Sequence, residues 1–225
     1  MPVVEQFQDL LEADAHVILH QTNCQTTYAA GVAAAIFERY PEADCYTSSE
    51  GKGKNGKGDR TPGTVDLRRV GASKASGAPL VVANLFGQDT PGKPRGRESA
   101  EVREQFFQTG LKELEAKLIE LPEVQTKMLR SKEEPAKEPE EKLIVAVPKN
   151  IGCALAGGNW THYEGFLKAF DASLAQKVAL EVRVCKRPMR CEGCAREPLE
   201  ENVDGWDSKY GFYCKECWKK WETRS

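Results

Sequence analysis

The stretch LIVAVPKNIGCALAGGNW, residues 143–160, joins a continuous apolar run to a loop of small residues. The apolar residues 143–147 are stopped by Pro148, which is typical of a strand buried on both faces of a sheet. Behind the loop, Thr161 and Glu164 have the Thr-x-x-Glu spacing of a capping box, which predicts the start of a helix. A buried strand, a glycine loop and a helix in this order are typical of an α/β domain.

The same alternation of strands and helices extends over residues 1 to about 182. Short apolar runs predict strands at 16–19, 64–70, 80–85 and 180–184, and helical spacing predicts helices at 31–37 and 98–120. The apolar stripe of the longer helix is predicted to consist of Val102, Phe106, Leu111, Leu114 and Leu118. Because continuous apolar strands need cover on both faces, this pattern predicts a three-layer α/β/α domain.

Two segments interrupt this domain, at about 48–62 and 126–142. The first holds the basic run from Gly51 to Gly58, whose spacing resembles a phosphate-binding P-loop. In that motif, however, Ser or Thr must reach magnesium at the place of Gly58, and no apolar strand precedes the run. A flexible surface loop is therefore the favoured interpretation. The second segment is rich in Pro, Glu and Lys, which is typical of a solvated insertion.

Two of the predicted strand-to-helix turns carry small residues. One follows the strand at 16–19 and leads into Ala29, Ala30 and Gly31, and the other is the loop 148–160. Small residues at such turns let backbone N–H groups approach an anion at a helix N-terminus. Two turns at the carboxyl edge of one sheet could clamp a diphosphate, although tight packing turns without a ligand explain the same composition.

Four stretches, in this order along the chain, resemble motifs of the macro domain family. They are residues 9–24 with Gly31-Val32-Ala33, then Tyr40-Pro41-Glu42-Ala43, Asn84-Leu85-Phe86-Gly87-Gln88, and residues 151–160. The resemblance is greatest to the branch that contains ADP-ribose-1″-phosphate phosphatases and related ADP-ribosyl hydrolases. It implies a macro domain with a mixed central sheet over residues 1–182, and a cleft for ADP-ribose between the two turns.

The resemblance also assigns individual residues to this ligand. Asp9, with Leu10 beside it, matches the acidic residue that meets the adenine amino group, and Asn23 matches the asparagine that faces the distal ribose. The two phosphate loops would be formed by Gly31, Val32 and Ala33, and by Ile151, Gly152, Cys153, Ala154 and Leu155. Backbone donors suit a diphosphate without magnesium, so no Mg²⁺ requirement is expected. The alternative role of Asp9 is a helix cap before Leu10.

The sequence departs from the family pattern at three positions. Ala29, Ala154 and Asn159 stand where the family usually has Gly, Gly and Asp. A methyl group in place of a hydrogen narrows the approach to a phosphate, so a lower affinity is expected. Cys153 is interpreted as a buried small residue, because nothing adjacent in the sequence would lower the pKa of its thiol.

Catalysis is left open by the residues. A related hydrolase that cleaves glutamate-linked ADP-ribose uses a lysine and an aspartate, and the matching positions here are Gln88 or Asp89 and Ala156. A hydrolase of this type would need another base, from a side chain or from the phosphate of its substrate. Asn23 and His20 are the polar residues nearest the distal end and are the catalytic candidates, although a packed histidine is the alternative for His20.

The C-terminal segment, residues 183–225, carries the pattern C-x2-C-x19-C-x2-C, formed by Cys191, Cys194, Cys214 and Cys217. Four thiolates at this spacing fit the tetrahedral preference of zinc, and a site closed by four cysteines is structural. A segment of this length buries little core, so zinc is expected to supply much of its folding energy. We predict a zinc-ribbon or treble-clef module, in which Cys185 is a spare.

Charge and composition limit the possible partners. The formal net charge is -2, and the segment from Cys185 onward holds nine basic and eight acidic residues, so nucleic acid is an unfavoured partner. No run is long and apolar enough to span a membrane, and a cytoplasmic or nuclear protein is expected. Two functions follow, a hydrolase of ADP-ribose-1″-phosphate or of an ADP-ribosyl linkage, and a non-catalytic reader of ADP-ribosylated proteins. In either, the zinc module could contact a protein partner.

Overall fold

The computed structural model describes residues 3–47, 60–73, 77, 79–126, 142–192, 194–197, 205–208 and 211–222. The basic run from Gly51 to Gly58 and nearly all of the segment 126–142, both predicted to be loops, lie outside these residues.

The central sheet of the chain has six strands in the order β1-β6-β5-β2-β4-β3. These strands are β1 (Val4–Phe7), β2 (Val17–Asn23), β3 (Val65–Ala72), β4 (Pro79–Gln88), β5 (Leu143–Pro148) and β6 (Leu180–Lys186). The edge strand β3 runs antiparallel to β4, whereas the other neighbours are parallel. The sheet is therefore mixed, which confirms the prediction.

Helices cover both faces of this sheet. They are α1 (Val32–Arg39), α2 (Ala100–Glu120) and α3 (Trp160–Leu174). Successive side chains of β2 point to opposite faces, so Leu19 joins a core with Phe107 of α2, and Ile18 joins a second core with Ile36 of α1. Because each face buries its own apolar cluster, the three-layer α/β/α prediction is confirmed.

The apolar stripe of α2 differs by one position from the predicted one. Phe107 is fully buried and Phe106 only half-buried, and the same face also buries Arg103 and Gly110. The register shifts because Gly110 lets the helix approach β4, where a Cβ on Gly110 would lie 2.6 Å from Leu85 Cγ.

Helix α3 begins one residue before the predicted capping box. Asn159 is the N-cap, and its Oδ1 accepts a hydrogen bond of 3.0 Å from the backbone N of Thr161. Thr161 therefore lies inside the helix, and the prediction of a Thr161 cap was wrong. Asn159 thus performs a task that the more usual aspartate would also perform.

Strands β1 and β6 extend the sheet beyond the predicted elements. Strand β1, which the sequence patterns did not indicate, adds a sixth strand next to β6. The predicted boundary at residue 182 falls inside β6, which pairs with β5 as far as Cys185. Beyond the sheet, β7 (Gly205–Ser208) and β8 (Gly211–Cys214) form a hairpin that is followed by α4 (Lys215–Glu222). In the part of the chain that the structure describes, no helix has the length and apolarity needed to cross a membrane.

Candidate functional site

A cleft of about 390 Å³ opens at the carboxyl ends of β2, β4 and β5. This is the edge where ligands bind in sheets of parallel strands, because the strand-to-helix turns meet there. Its walls are formed mainly by the end of β2, the segment that leads into α1, residues 88–92, and the loop between β5 and α3. The two turns that the sequence analysis singled out therefore face each other across one cleft.

The loop between β5 and α3, residues 149–159, presents free backbone donors to the cleft. Within the described residues, no acceptor contacts the backbone N–H groups of Gly152, Ala154, Leu155 and Ala156. All four residues line the cleft. Gly152 and Ala156 are half-buried, where an N–H group without a partner is costly, whereas Ala154 and Leu155 are exposed at the opening. The four N–H groups together offer donors to an acceptor such as a phosphate oxygen.

Gly152 is the residue that permits this loop conformation. Its φ is +71°, and a Cβ there would collide with the ring of Tyr163 and with Gln21 Oε1. Ala154, by contrast, has no left-handed backbone, so its methyl group is accommodated without strain. The departure from glycine at Ala154 therefore leaves the loop intact.

The opposite wall is the beginning of α1. Gly31 is its N-cap with φ +59°, and no side chain caps the helix, so the first-turn N–H groups are left for a ligand. Gly31, Val32 and Ala33 line the cleft, whereas Ala29 is not part of its wall. A Cβ on Gly31 would lie 3.5 Å from Leu155 Cδ1, so the two loops meet across the opening.

Asn23 lies at the end of β2 with its amide fully engaged. Its Oδ1 accepts from the backbone N of Gln25 and of Thr26, at 3.0 and 2.8 Å. Its Nδ2 donates to Thr26 Oγ1 and to Tyr46 Oη, both at 3.0 Å. These bonds fix the start of the first loop. Tyr46 Oη also accepts from the backbone N of Asn23, which fixes the backbone at the same place.

His20 borders the cleft but is almost completely buried. Its Nε2 lies 2.6 Å from Asn84 Oδ1, and Asn84 Nδ2 donates to the carbonyl of Ala43, which leaves Oδ1 as the acceptor. Nε2 therefore carries the proton. Burial lowers the pKa of His20 to about 4, although the bond to Asn84 acts in the opposite direction. The imidazole is thus neutral at physiological pH, and it packs edge-to-face against Phe37.

Of the other predicted ligand residues, some line the cleft and some do not. Ile151 and Cys153 line it, whereas Asp9 and Leu10 do not. Asp9 Oδ1 accepts from the backbone N of Leu11 at 2.8 Å and caps a short 3-10 helix, Leu10–Glu12, so the structure shows the alternative capping role of Asp9. Leu10 is buried in the core on the α1 face.

Cys153 is not an activated thiol. Its Sγ donates to the carbonyl of Ile151 at 3.2 Å. Burial, together with the charge of Glu104, raises the pKa of Cys153 to about 11. The thiol is therefore protonated at neutral pH, as the sequence analysis expected.

Solved structures resemble this chain. The macrodomain of Mycobacterium tuberculosis DarG superposes with a TM-score of 0.52 at 20% identity, over 81% of this chain and 97% of that one. The chain has the macrodomain fold. The macrodomain of Thermus aquaticus DarG gives 0.49 at 17% identity, over 82% and 97% of the two chains. An Oceanobacillus iheyensis macrodomain with ADP gives 0.47 at 12% identity, over 80% of each. No family model and no curated protein sequence matches the chain.

A buried ion pair, which the sequence did not indicate, holds two walls of the cleft in place. Arg103 of α2 is 1% exposed, and its Nε donates to Glu98 Oε1 at 3.0 Å. Its guanidinium also donates to the backbone carbonyls of Gly92, Ala156 and Thr90, at 2.5, 2.9 and 3.0 Å. Since Gly92 and Ala156 both line the cleft, one side chain holds two of its walls.

Two glutamines continue this network into the floor of the cleft. Gln88 Nε2 donates to the carbonyl of Thr90 at 3.1 Å, and Gln21 Nε2 donates to Gln88 Oε1 at 3.0 Å. The carbonyl of Thr90 thus accepts from both Gln88 and Arg103. The hydrogen bonds that orient the side-chain amides of Gln88 and Gln21 are therefore connected to the ion pair. Only the position of Gln88 had been noted from sequence, as a place where a relative has a catalytic residue.

The four predicted zinc ligands lie together. The Sγ atoms of Cys191, Cys194, Cys214 and Cys217 are within 4.8 Å of one another, and Cys194 and Cys214 are 3.8 Å apart. A zinc tetrahedron with bonds of about 2.3 Å has edges of about 3.8 Å, so the donor set fits the metal. The backbone N of Cys214 donates to Cys191 Sγ at 3.3 Å, as is typical of a thiolate. The hairpin β7–β8 followed by α4, which carries Cys217, matches the treble-clef alternative.

Proposed function

We propose that this macrodomain binds ADP-ribose, or ADP-ribose-1″-phosphate, in the cleft between its two loops. The observation that carries the proposal is the set of free backbone donors in the second loop, which faces the uncapped first turn of α1. Two groups of N–H donors on opposite walls suit the two phosphates of a diphosphate. The cleft volume of about 390 Å³ is within the range of small-molecule sites.

The charge of the cleft does not oppose an anion. None of the described residues that form its wall carries a carboxylate, and the charge of Lys149, at its edge, is balanced by Glu5. Lys149 forms an ion pair with Glu5 and lies 4.5 Å from the centroid of the Trp160 ring, so its position is fixed. An anionic ligand would therefore meet no repelling side chain in the described part of the wall.

We further propose that the protein hydrolyses the terminal phosphate or an ADP-ribosyl linkage, with the substrate's own phosphate as the base. The neutral, buried imidazole of His20 and the fully engaged amide of Asn23 are not suited to proton transfer, and their bonds instead fix the end of β2 beside the cleft. In this proposal a phosphate of the substrate takes the proton of the attacking water in place of a side-chain base.

The same observations favour a second candidate, a non-catalytic reader of ADP-ribosylated proteins. A reader needs the backbone donors but no catalytic base. The described wall of the cleft has these donors and holds no carboxylate that could act as the base. Release of inorganic phosphate from ADP-ribose-1″-phosphate separates the two functions. Turnover supports the hydrolase, and tight binding of the same compound without turnover supports the reader.

Binding itself is tested by calorimetric titration of the zinc-loaded protein with ADP-ribose. Micromolar affinity at neutral pH, the same with and without added Mg²⁺, is the expected result. ADP should bind more weakly than ADP-ribose, because it lacks the distal ribose and so covers less of the cleft. The absence of binding at millimolar ADP-ribose would overturn the proposal.

We also propose that the four cysteines hold one structural zinc ion, which stabilises the C-terminal module when bound. Cys191 and Cys214 are buried and anchor the small core of the module, with Met189 and Phe212. A site closed by four protein ligands leaves no position for substrate, so this metal has a structural role. Because its helix and hairpin lie outside the cleft wall, the module is a candidate second contact for a protein partner.

A further inference from the structure

Three basic side chains form a charged turn beside the cleft. Lys93, Arg95 and Arg97 lie between β4 and α2 and are all exposed. The chain enters this basic turn directly from Pro91 and Gly92, which belong to the cleft wall.

The basic turn has a defined backbone. Arg95 and Glu98 exchange two backbone hydrogen bonds, of 3.0 and 3.2 Å, and Gly96 between them has φ +60°. Lys93 packs on the second loop, since a Cβ on Gly157 would lie 3.2 Å from Lys93 Cγ. Lys93 is therefore held at the outer edge of the loop that presents the free N–H donors, and Arg95 and Arg97 follow it in the same turn.

The carboxylates nearest to the basic turn in sequence are engaged elsewhere. Glu98 pairs with Arg103, Glu104 lies 2.7 Å from His162 Nδ1, Glu101 accepts from Ser99, and Asp89 accepts from Gln25. In the part of the chain that is described, none of the three cations of the basic turn forms an ion pair. Like charges held together repel one another, and an anion at this place would relieve the repulsion.

An apolar surface borders the opening of the same cleft. Tyr28 is 71% exposed, Leu155 66% and Val32 45%, and all three line the opening. Leu155 lies against Gly31, so this apolar rim is continuous from the first loop to the second. Large apolar side chains at such exposure, beside a charged edge, are typical of surfaces that contact another protein.

We propose that the basic turn and the apolar rim together dock an acidic segment of an ADP-ribosylated protein, with the ADP-ribose in the cleft. This rests on the proposed function and names its substrate class. Three cations match a few carboxylates, whereas a chain with a formal net charge of -2 is not suited to attract nucleic acid. The apolar rim gives peptide side chains a surface to cover, and the cations select the acidic flank.

The test compares two peptides that carry ADP-ribose on one serine and differ only in their flanks, glutamates in one and glutamines in the other. Exposed charge pairs contribute modestly, so we expect the wild-type protein to bind the acidic peptide about tenfold more tightly at low salt. The triple variant K93E/R95E/R97E should bind the two peptides with equal affinity, and its new negative charges beside the cleft should weaken the binding of free ADP-ribose to the same extent as that of the glutamine peptide. The triple variant K112E/K168E/K177E, with the same change in net charge on α2, on α3 and just after α3, should retain the preference.

Equal affinity of the wild-type protein for the two peptides would overturn the inference, and so would a preference that survives the charge reversal at the basic turn. An ADP-ribosylated oligonucleotide serves as a third probe. If only its binding falls in K93E/R95E/R97E, the surface recognises nucleic acid and the inference is wrong. Failure of the wild-type protein to bind free ADP-ribose would overturn the proposed function itself, which makes the two failures distinguishable.

Discussion

The sheet domain and the C-terminal module of this chain are held together by different interactions. Two apolar clusters, one on each face of the sheet, bury strand and helix side chains completely. The described core of the module consists of Met189, Cys191, Phe212 and Cys214, with Cys217 packed against it. Two such clusters suit stabilisation by burial of apolar surface, whereas for the module, with its small described core, we propose that zinc bound by the four cysteines supplies most of the stability.

Removal of zinc should therefore unfold the C-terminal module and leave the sheet domain folded. With a zinc chelator, or in Cys214→Ser, we expect the module to lose its hairpin and α4, because the metal supplies most of its folding energy. Amide hydrogen exchange should show loss of protection for residues 205–222 and unchanged protection for β2 and β5. Cys185→Ser, which alters no ligand, is the control. Equal loss of protection in both units would contradict the comparison.

Within the sheet domain, the most important polar interaction should be the buried ion pair of Arg103. Arg103→Met removes the counter-charge of Glu98 and leaves the backbone carbonyls of Gly92 and Ala156 without a donor, and we expect about 3–5 kcal/mol of destabilisation in urea unfolding. Arg95→Met, in the exposed turn, should change the free energy of unfolding by less than about 0.5 kcal/mol. A small effect at Arg103 would show that the guanidinium is dispensable.

His20 makes the sheet domain sensitive to mild acid. Its folded pKa of about 4 lies below the ordinary 6.5, so the unfolded chain takes up the proton first. The contribution of His20 is therefore complete above pH 6.5 and is lost as the pH falls towards 4, to a total of about 3 kcal/mol. Urea unfolding of wild-type protein and His20→Gln at several pH values between 7 and 4 isolates this term. An unchanged difference between the two across this range would contradict the assignment.

Substitution of two glycines by alanine should have different effects. One substitution should weaken ligand binding, and the other should change only the stability of the protein. Gly152→Ala forces the second loop away from Tyr163 and Gln21, and we expect a loss of ADP-ribose affinity of about 1–3 kcal/mol. Gly165→Ala, in α3 with open space around it, should leave affinity unchanged and stabilise the protein by about 0.5–1 kcal/mol. Titration calorimetry and thermal unfolding of both variants measure this. Unchanged affinity in Gly152→Ala would place the ligand elsewhere.

The strands and the two loops could be predicted because their signal is local. The apolar run 143–147 and the small residues after it specify a buried strand and a turn without knowledge of the rest. The cysteine spacing is a similar signal, since ligand geometry restricts the sequence directly. Strand β1 is too short and too exposed on one side to give a clear pattern.

The support of the cleft could not be predicted, because it depends on contacts between distant segments. Arg103 stands among charged residues of α2, and nothing near it in sequence indicates that it is buried with Glu98 and bonded to Ala156. The same holds for Tyr46, whose hydroxyl fixes Asn23 from a segment 23 residues away. Sequence patterns identified the loops that would touch a ligand, and the fold supplied the side chains that hold them.

The most direct test of the account follows backbone amide shifts in ¹H–¹⁵N spectra as ADP-ribose is added to the zinc-loaded protein. We predict that the largest shifts fall on Gly152, Ala154, Leu155 and Ala156, whose N–H groups are free, and on Val32 and Ala33 at the start of α1. The amides of the zinc module should not move. Shifts confined to other parts of the chain, or no shifts at saturating ligand, would contradict the assignment of the cleft as the ADP-ribose site.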